Sequence, residues 1–358
     1  MSRRRLTSCF ACALAAASLI AGCGGDSDSA GPSTEDVSSR PAPPKSDFPS
    51  SNGRTLAEVL ASAKGPAPVV SPASMVFYKG ENRYSFGVFN LDGTPVSDAG
   101  VALYIAKVPP VKADGSASKN GTEPKGAAAQ ALNEALDSPA MGPYPAAIES
   151  MVTKPAFRAQ TTAADENAPP VVYVADIDFP SDGEWRIVAL VKEDGELRGT
   201  LVPSALVGKV SGVPRVGERA PVIHTPTVAD AGGDLSKITT RIPPDTQNKV
   251  DFADVLGKEP IVLLFATPQF CESRVCGPVT DVAEQVKETY GDKAAFVHME
   301  IFNDNDPANG VRPEVRAFGL PSEPWLFVID RDGVVQTAIE GAFGVDRLVR
   351  AVRGVTEE

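Results

Sequence analysis

Two cysteines stand between an apolar segment and an amphipathic one, and this junction constrains the fold more than any other feature. Cys271 and Cys276 follow the continuous apolar run 260–265. The apolar residues that recur at helical spacing after them are Val279, Val282, Ala283, Val286 and Tyr290. The pattern predicts a buried strand, a turn with both cysteines, and a helix that ends near Gly291.

The remaining cysteines lie near the N-terminus. The chain has 358 residues and five cysteines. Cys9 and Cys12 lie in a segment with the layout of a removable leader, and Cys23 follows directly after it. Cys271 and Cys276 are therefore expected to be the only thiols of the mature chain.

The leader has arginines at positions 3–5 and an apolar run over 10–21, the layout of a signal peptide spanning 1–22. Its last residues, Ile-Ala-Gly-Cys ending at Cys23, resemble the lipobox of bacterial lipoproteins. The resemblance implies lipid attachment (palmitate) at Cys23 and a place on the extracytoplasmic face of the bacterial cell membrane. The apolar run is shorter than the roughly 20 residues that span a bilayer, so we expect anchoring by lipid alone. We favour the general secretory route over twin-arginine export.

Residues 23–66 are rich in Gly, Ser, Pro and Asp, which predicts a lipid-anchored flexible tether. Within it, Thr55 to Lys64 has the pattern of one short helix with no evident partner. The formal net charge of -12 becomes -15 when the three leader arginines are removed. Such an acidic chain is not expected to bind nucleic acid.

Residues 67–210 have the pattern of an all-β domain. Apolar side chains alternate over 171–179 and again over 185–191, on either side of a Pro-Ser-Asp-Gly turn. The domain resembles the immunoglobulin-like β-sandwiches of exported bacterial proteins, without their cysteine pair. Trp185 lies on the apolar face of its strand and is expected to be a core residue. Residues 109–170, rich in Ala, Pro, Gly and Asp, predict a long, partly disordered insertion with one helix around 127–136.

From residue 214 to 358 the pattern changes to alternating strands and helices, which predicts an α/β domain. The expected strands after the cysteines are 295–301, 325–329 and 334–339, and the expected helices are 311–318 and 345–352. This order is that of a thioredoxin fold. We therefore predict a multidomain chain: signal peptide, disordered tether, immunoglobulin-like sandwich and thioredoxin-like domain.

Three segments carry the resemblance to the thioredoxin-like superfamily: the strand, cysteines and helix described above, residues 216–221, and residues 318–324. Residues 216–221 resemble the entry of the extracytoplasmic thiol-disulfide and peroxiredoxin branches. Residues 318–324 resemble the segment that carries the family's cis-proline, and Pro324 is the residue assigned to that position. A cis bond there exposes the backbone of Glu323 beside the thiols, which implies a substrate groove at Glu323 and Pro324.

The cysteine spacing departs from the family pattern. Thioredoxins have Cys-x-x-Cys, whereas Cys271 and Cys276 are separated by four residues. Some atypical peroxiredoxins place their two cysteines five positions apart, and Thr267-Pro268 resembles their Thr-Pro-x-Cys motif with one residue more. Copper-handling relatives use Cys-x-x-x-Cys, a spacing that is also absent here. We expect no metal and no cofactor.

Helical geometry limits what this pair can do. Residues five apart in an α-helix have Cα atoms roughly 8 to 9 Å apart, beyond the ~7 Å that a disulfide spans. Either the helix begins after Cys276 and the disulfide is a permanent staple, or the first turn unwinds on oxidation and the pair is a switch. A helix N-terminus and Arg274 would lower a thiol pKa, whereas Glu272 and Glu323 would raise it.

We therefore predict a thiol-disulfide oxidoreductase in which Cys271 and Cys276 form a disulfide and exchange it with protein thiols. Neither cysteine is assigned the attacking role. The expected partners are the membrane, through lipid on Cys23, thiol or disulfide protein substrates, and an external electron donor. Two alternatives stay open: an atypical thiol peroxidase with Cys271 as its reactive residue, and a non-catalytic surface lipoprotein with a structural disulfide.

Overall fold

The computed structural model describes residues 37–64, 68–110, 126–165, 167–210 and 212–357. The predicted signal peptide 1–22 and the predicted lipid attachment at Cys23 lie outside them. The strands are β1 Val69–Pro72, β2 Gly80–Phe89, β3 Gly100–Lys107, β4 Met141–Ser150, β5 Val171–Phe179, β6 Gly183–Glu193, β7 Glu196–Val207, β8 Ile261–Phe265, β9 Ala295–Met299, β10 Trp325–Ile329 and β11 Val335–Glu340. The α-helices are α1 Leu56–Leu60, α2 Ala127–Glu134, α3 Gln160–Ala163, α4 Phe252–Val255, α5 Cys276–Tyr290, α6 Pro313–Ala317 and α7 Val345–Thr356. Across this described part, no helix combines the length and apolarity needed to cross a membrane.

The described residues belong to one compact unit with two sheets, and we call the part built on the first sheet the first domain and the part built on the second sheet the second domain. The first domain is built on one seven-stranded antiparallel sheet, in the order β1-β2-β5-β4-β3-β6-β7. β4 joins the two halves of the sheet, because residues up to Pro145 pair with β3 and residues from Ala146 pair with β5. The sheet is nearly closed on itself, since the N–H of Gly208, after β7, donates to the carbonyl of Phe77, between β1 and β2 (2.9 Å). The prediction of a two-sheet immunoglobulin-like sandwich is therefore not confirmed.

The inner face of this sheet holds the core that the alternating pattern predicts. Every second residue of β5 and β6, from Val171 to Phe179 and from Trp185 to Val191, belongs to one buried cluster. Trp185 packs against Phe179 with ring centroids 5.8 Å apart, and its indole N–H donates to the carbonyl of Ser181 (2.9 Å). The prediction that Trp185 is a core residue is confirmed.

The prediction that residues 109–170 form an insertion is wrong for residues 141–150, because these residues form β4, a central strand of the sheet. The sequence of β4 contains Gly142, Pro143 and Pro145, which are unfavourable in the middle of a sheet. Proline removes a ladder hydrogen bond, and the sheet accommodates it where β4 changes its pairing partner. The expected helix around 127–136 is present as α2.

Residues 37–64, part of the segment expected to be a tether, pack on the outer face of the same sheet. α1 begins with a capping box, in which the Thr55 hydroxyl accepts the Glu58 N–H and the Glu58 carboxylate accepts the Thr55 N–H. Leu56 and Val59 of α1 are buried against Tyr104 of β3 and its neighbours. The helix that the sequence leaves without a partner therefore covers β3 and β6.

The second domain contains a four-stranded sheet in the order β11-β10-β8-β9. β8 and β9 are parallel, whereas β10 is antiparallel to both β8 and β11. With α5 between β8 and β9, α6 between β9 and β10, and α7 at the end, this is the connectivity of a thioredoxin-like fold, as the sequence predicts. All residues of β8 and β10 are buried, which explains their continuous apolar runs.

The two domains share a buried apolar cluster. Val172 and Val174, on the outer face of β5, pack in one cluster with Cys276 and Val279 of α5 and with Ala342 before α7. β5 is therefore covered on both faces, and the contact surface lies directly against the helix that carries Cys276.

A buried ion-pair network reinforces this contact. Glu149 of β4 accepts hydrogen bonds from Arg347 of α7 (2.6 Å) and from Arg83 of β2 (3.1 Å), and its side chain is 9% exposed. Burial alone would raise the pKa of Glu149, but the two guanidinium groups outweigh it and lower the pKa below its usual value. Glu149 thus links the first domain to the last helix.

We expect Glu149→Gln to lower the free energy of unfolding by about 2 kcal/mol at pH 7, because two arginines lose their carboxylate partner. The folded-state pKa of Glu149 is lowered, so the ion-pair contribution is complete above the unfolded pKa of ~4.3 and is lost as the pH falls through the folded value. The difference in free energy of unfolding between Glu149→Gln and the natural chain should therefore become smaller at acidic pH. Urea titrations at several pH values measure it, with the exposed Glu81→Gln as control. If Glu149→Gln and Glu81→Gln had the same free energy of unfolding at pH 7, the stabilising role of Glu149 would be contradicted.

Candidate active site

Cys271 and Cys276 form a disulfide at the N-terminus of α5, with Cα atoms 5.9 Å apart. α5 begins at Cys276, and Cys271 lies before it in a turn. The pair therefore satisfies the distance limit because only one of the two cysteines is helical. Of the two arrangements expected from the sequence, this is closest to the first, in which the disulfide closes the loop before the helix as a staple, but the helix begins at Cys276 and not after it.

The two sulfurs differ in their exposure. Cys276 is 0% exposed and belongs to the cluster shared by the domains, whereas Cys271 is only partly buried against that cluster. The Cys276 N–H donates to the Cys271 sulfur (3.3 Å), and the Ser273 hydroxyl lies 3.2 Å from the same sulfur. Of the two cysteines, Cys271 is thus the one with solvent-accessible surface.

The loop between the cysteines is held against the first domain. Arg274 adopts a left-handed backbone conformation, with φ 59°. Its guanidinium pairs with Asp165, which follows α3, at 3.1 Å. Glu272 and Ser273 are exposed beside it. The charge of Arg274 is thus partly balanced by a residue of the other domain.

The predicted cis-proline is confirmed, because the Glu323–Pro324 peptide bond is cis. Trp325, the next residue, pairs with Phe265 at the end of β8, so Pro324 lies beside the start of the cysteine loop. Burial raises the pKa of Glu323, and the negative charge of Glu272 raises it further. The segment therefore brings a second carboxyl group towards the loop.

A buried polar cluster lies behind the loop. His298 of β9 has Nδ1 2.8 Å from the Asp245 carboxylate and Nε2 3.1 Å from the Ala266 carbonyl, and both side chains of the pair are 0% exposed. Both neighbours are acceptors, so both ring nitrogens donate and the imidazole is protonated. Burial alone would lower the pKa of His298, but the charge and hydrogen bond of Asp245 outweigh it and raise the pKa to about 9.

The same cluster holds the loop at a second point. Buried Glu300 accepts the N–H (2.6 Å) and the hydroxyl (2.7 Å) of Thr240, and the Thr240 hydroxyl accepts the Gln269 N–H at 3.2 Å. Together, His298 and Glu300 fix residues 266 to 269, which lead to Cys271. Within the described ranges, no three His, Cys, Asp or Glu side chains come together as a metal-binding group.

A segment of the first domain covers the start of α5. We call residues 155–165 the wall segment. Its Ala159 N–H donates to Asp281 of α5 (3.1 Å), and Asp281 also pairs with Arg241 (2.9 Å). Arg241 in turn donates to the carbonyl of Phe157 (2.6 Å). Asp281 and Arg241 are both buried, so the wall segment is fixed to the helix by a desolvated network.

Two cavities flank the disulfide loop. The sulfur cavity has a volume of ≈ 220 Å³ and is lined by Thr161, Thr162, Asp165, Ala168, Pro268, Gln269, Cys271, Arg274, Gly277 and Pro278. The outer groove has a volume of ≈ 390 Å³ and lies between the first domain and the disulfide loop. Its lining residues are Ser71, Pro72, Ala73, Phe86, Gly87, Phe89, Asp92, Gly93, Asn167, Pro169, Val171, Val172, Glu272, Ser273, Arg274 and Val275. Arg274 contributes to both, and Glu323 and Pro324 line neither, so their assignment to a substrate groove stays a prediction.

Sequence reasoning missed the wall segment and the buried cluster. Asp165 and Thr162 belong to the region expected to be an insertion, and no pattern there indicates contact with the cysteines. His298 had a local signal, because it is a polar residue within the apolar strand β9. Thr267, on which the peroxidase interpretation depends, is buried and does not line the sulfur cavity.

No protein-family model and no curated protein matches the chain. Solved structures that are similar to it include a protein named as the thiol:disulfide interchange protein DsbE from Chlorobium tepidum, with 18% identity, 40% of this chain and 99% of that chain covered, and a TM-score of 0.27. A thiol:disulfide interchange protein of the thioredoxin family from Chlorobium tepidum TLS has 21% identity, coverages of 40% and 97%, and a TM-score of 0.27. A protein named as a disulfide isomerase from Bacteroides thetaiotaomicron has 16% identity, coverages of 41% and 92%, and a TM-score of 0.27. At these TM-scores the fold assignment rests on the strand order and connectivity described above.

The protonated state of His298 predicts a pH dependence of stability. Its folded pKa of about 9 lies above the unfolded value of ~6.5. Its contribution is therefore complete below ~6.5 and is lost as the pH rises through about 9. We expect the free energy of unfolding to fall by on the order of 2–3 kcal/mol over this window, relative to His298→Gln.

Denaturant titrations between pH 6 and pH 10 measure this dependence, with the exposed His224→Gln as the matched control. His224 has an ion pair with Asp251 at the protein surface, so the control should deviate from the natural chain far less than His298→Gln does. Parallel curves for the natural chain and His298→Gln would show that His298 is not an imidazolium in the folded protein.

Proposed function

We propose that the chain is a lipid-anchored, extracytoplasmic thiol-disulfide oxidoreductase that uses the Cys271–Cys276 disulfide. The observation that carries the proposal is the unequal exposure of the two sulfurs at a helix N-terminus: Cys271 lines a cavity and Cys276 is buried. A structural staple requires no such access. The lipid anchor at Cys23 and the extracytoplasmic location are proposed on the sequence of the leader alone.

We assign the attacked sulfur to Cys271, because Cys271 is partly exposed and Cys276 is buried. A substrate thiolate attacks the Cys271 sulfur, the Cys271–Cys276 bond breaks, and Cys276 leaves as a thiolate. A second substrate thiolate then attacks the substrate sulfur of the mixed disulfide and releases Cys271 as a thiolate. The substrate gains a disulfide and the chain gains two electrons; run in reverse, the reduced pair reduces a substrate disulfide and an external dithiol donor restores it.

Two features of the site support this chemistry. Cys276 is the first residue of the 15-residue helix α5, whose N-terminal N–H groups and dipole stabilise a leaving thiolate. The His298 and Glu300 cluster holds the residues before Cys271 in place, which keeps the attacked sulfur at the cavity. We prefer disulfide exchange to peroxide reduction because Thr267 is buried away from the cavity.

Single-cysteine variants test the assignment. We expect Cys276→Ser, incubated with oxidised glutathione, to form a persistent mixed disulfide at Cys271, because no second thiol resolves it. Cys271→Ser should form one at least about tenfold more slowly, since its remaining thiol is buried. Mass analysis of acid-quenched time points measures both rates.

The double variant Cys271→Ser/Cys276→Ser gives the background. Equal modification rates in the two single variants would contradict the assignment of Cys271. Full dithiol exchange by both single variants would contradict the oxidoreductase proposal itself.

A further inference from the structure

The sulfur cavity and the outer groove lie on either side of Arg274, which lines both of them. Cys271 lines the sulfur cavity, and the outer groove continues along residues of β1 and β2. Both depressions are bounded by the first domain on one side and by the disulfide loop on the other. A ligand that fills both must therefore contact both domains.

The side of the sulfur cavity that the first domain supplies is rigidly held. The wall segment is fixed by the Asp281 and Arg241 network, and the Gln160 N–H also donates to the carbonyl of Ile242 (2.7 Å). Thr162 packs closely against Gly277. A Cβ atom placed on Gly277 would lie 2.9 Å from the hydroxyl oxygen of Thr162. The wall segment is thus attached to α5 and to residues 241–242, and it forms one side of the cavity that Cys271 lines.

The outer groove has the shape and chemistry for the residues that flank a cysteine. Its lining includes Gly87, Phe89 and Val172, and the Phe89 ring lies over Gly87, where a Cβ atom would be 2.6 Å from the ring. The carboxylates of Asp92 and Glu272 also line it, while the charge of Arg274 is paired with Asp165. Apolar and basic side chains complement this lining.

We propose that the substrate is an extended, cysteine-containing polypeptide that lies across both domains, with its cysteine in the sulfur cavity and apolar or basic neighbours in the outer groove. The inference rests on the proposed function and deepens it by naming the substrate class. A low-molecular-weight thiol would occupy the sulfur cavity alone.

The test compares two disulfides: oxidised glutathione, and a disulfide-linked dimer of a ten-residue peptide whose central cysteine is flanked by leucine and lysine. The reduced full chain is mixed with each, and the rate of thiol release is measured. We expect Ser71→Trp, at an exposed position of the outer groove, to slow exchange with the peptide by about fivefold and to leave exchange with oxidised glutathione unchanged. Ala168→Trp, which fills the sulfur cavity, should slow both.

Glu81→Trp, at an exposed position elsewhere on β2, is the control and should change neither rate. A peptide rate within twofold of the natural chain for Ser71→Trp, or an equal loss with both disulfides, overturns the docking proposal while the oxidoreductase function stands. If the natural chain exchanges with neither disulfide faster than the double cysteine variant does, the proposed function fails and the docking proposal fails with it.

Discussion

The packing of β5 against α5 is the contact on which the candidate site depends. Val172 and Val174 on the outer face of β5 join the cluster that contains Cys276, and this burial makes the two sulfurs of the disulfide unequal. Here the first domain covers one cysteine and forms one side of the cavity that exposes the other.

Electrostatics holds this arrangement at three separate points. Glu149 pairs with arginines from both domains, Asp281 and Arg241 fix the wall segment, and Asp165 pairs with Arg274 in the disulfide loop. The first two networks are mostly desolvated, where removal of one partner is costly. The third is partly exposed and contributes little energy.

Local patterns predicted the second domain well because its elements are set by short-range periodicity. The apolar runs of β8 and β10, the helical spacing of α5 and the position of Pro324 all lie within segments of a few residues. The inner faces of β5 and β6 were predictable for the same reason. The disulfide itself was predictable from the scarcity of cysteine. The start of α5 was predictable only as one of two alternatives: a helix that begins after the cysteine pair, or a first turn that unwinds on oxidation.

What the sequence did not reveal depends on contacts between distant segments. β4 carries prolines that argue against a strand, yet it joins the two halves of the sheet, and its pairing partner changes directly after Pro145. α1 has too few residues to indicate its partner. Thr162 and Asp165 reach the cysteines only because the domains share a core, and a single chain has no periodic signal for such a contact.

The reduction potential of the Cys271–Cys276 pair tests the central claim most directly. The chain from residue 24 to 358 would be equilibrated with a series of glutathione ratios, its thiols trapped, and the oxidised fraction measured by mass. A potential between roughly -120 and -270 mV is the expected result, because catalytic exchangers lie in that range. A potential below about -300 mV would identify a structural disulfide and contradict the oxidoreductase function.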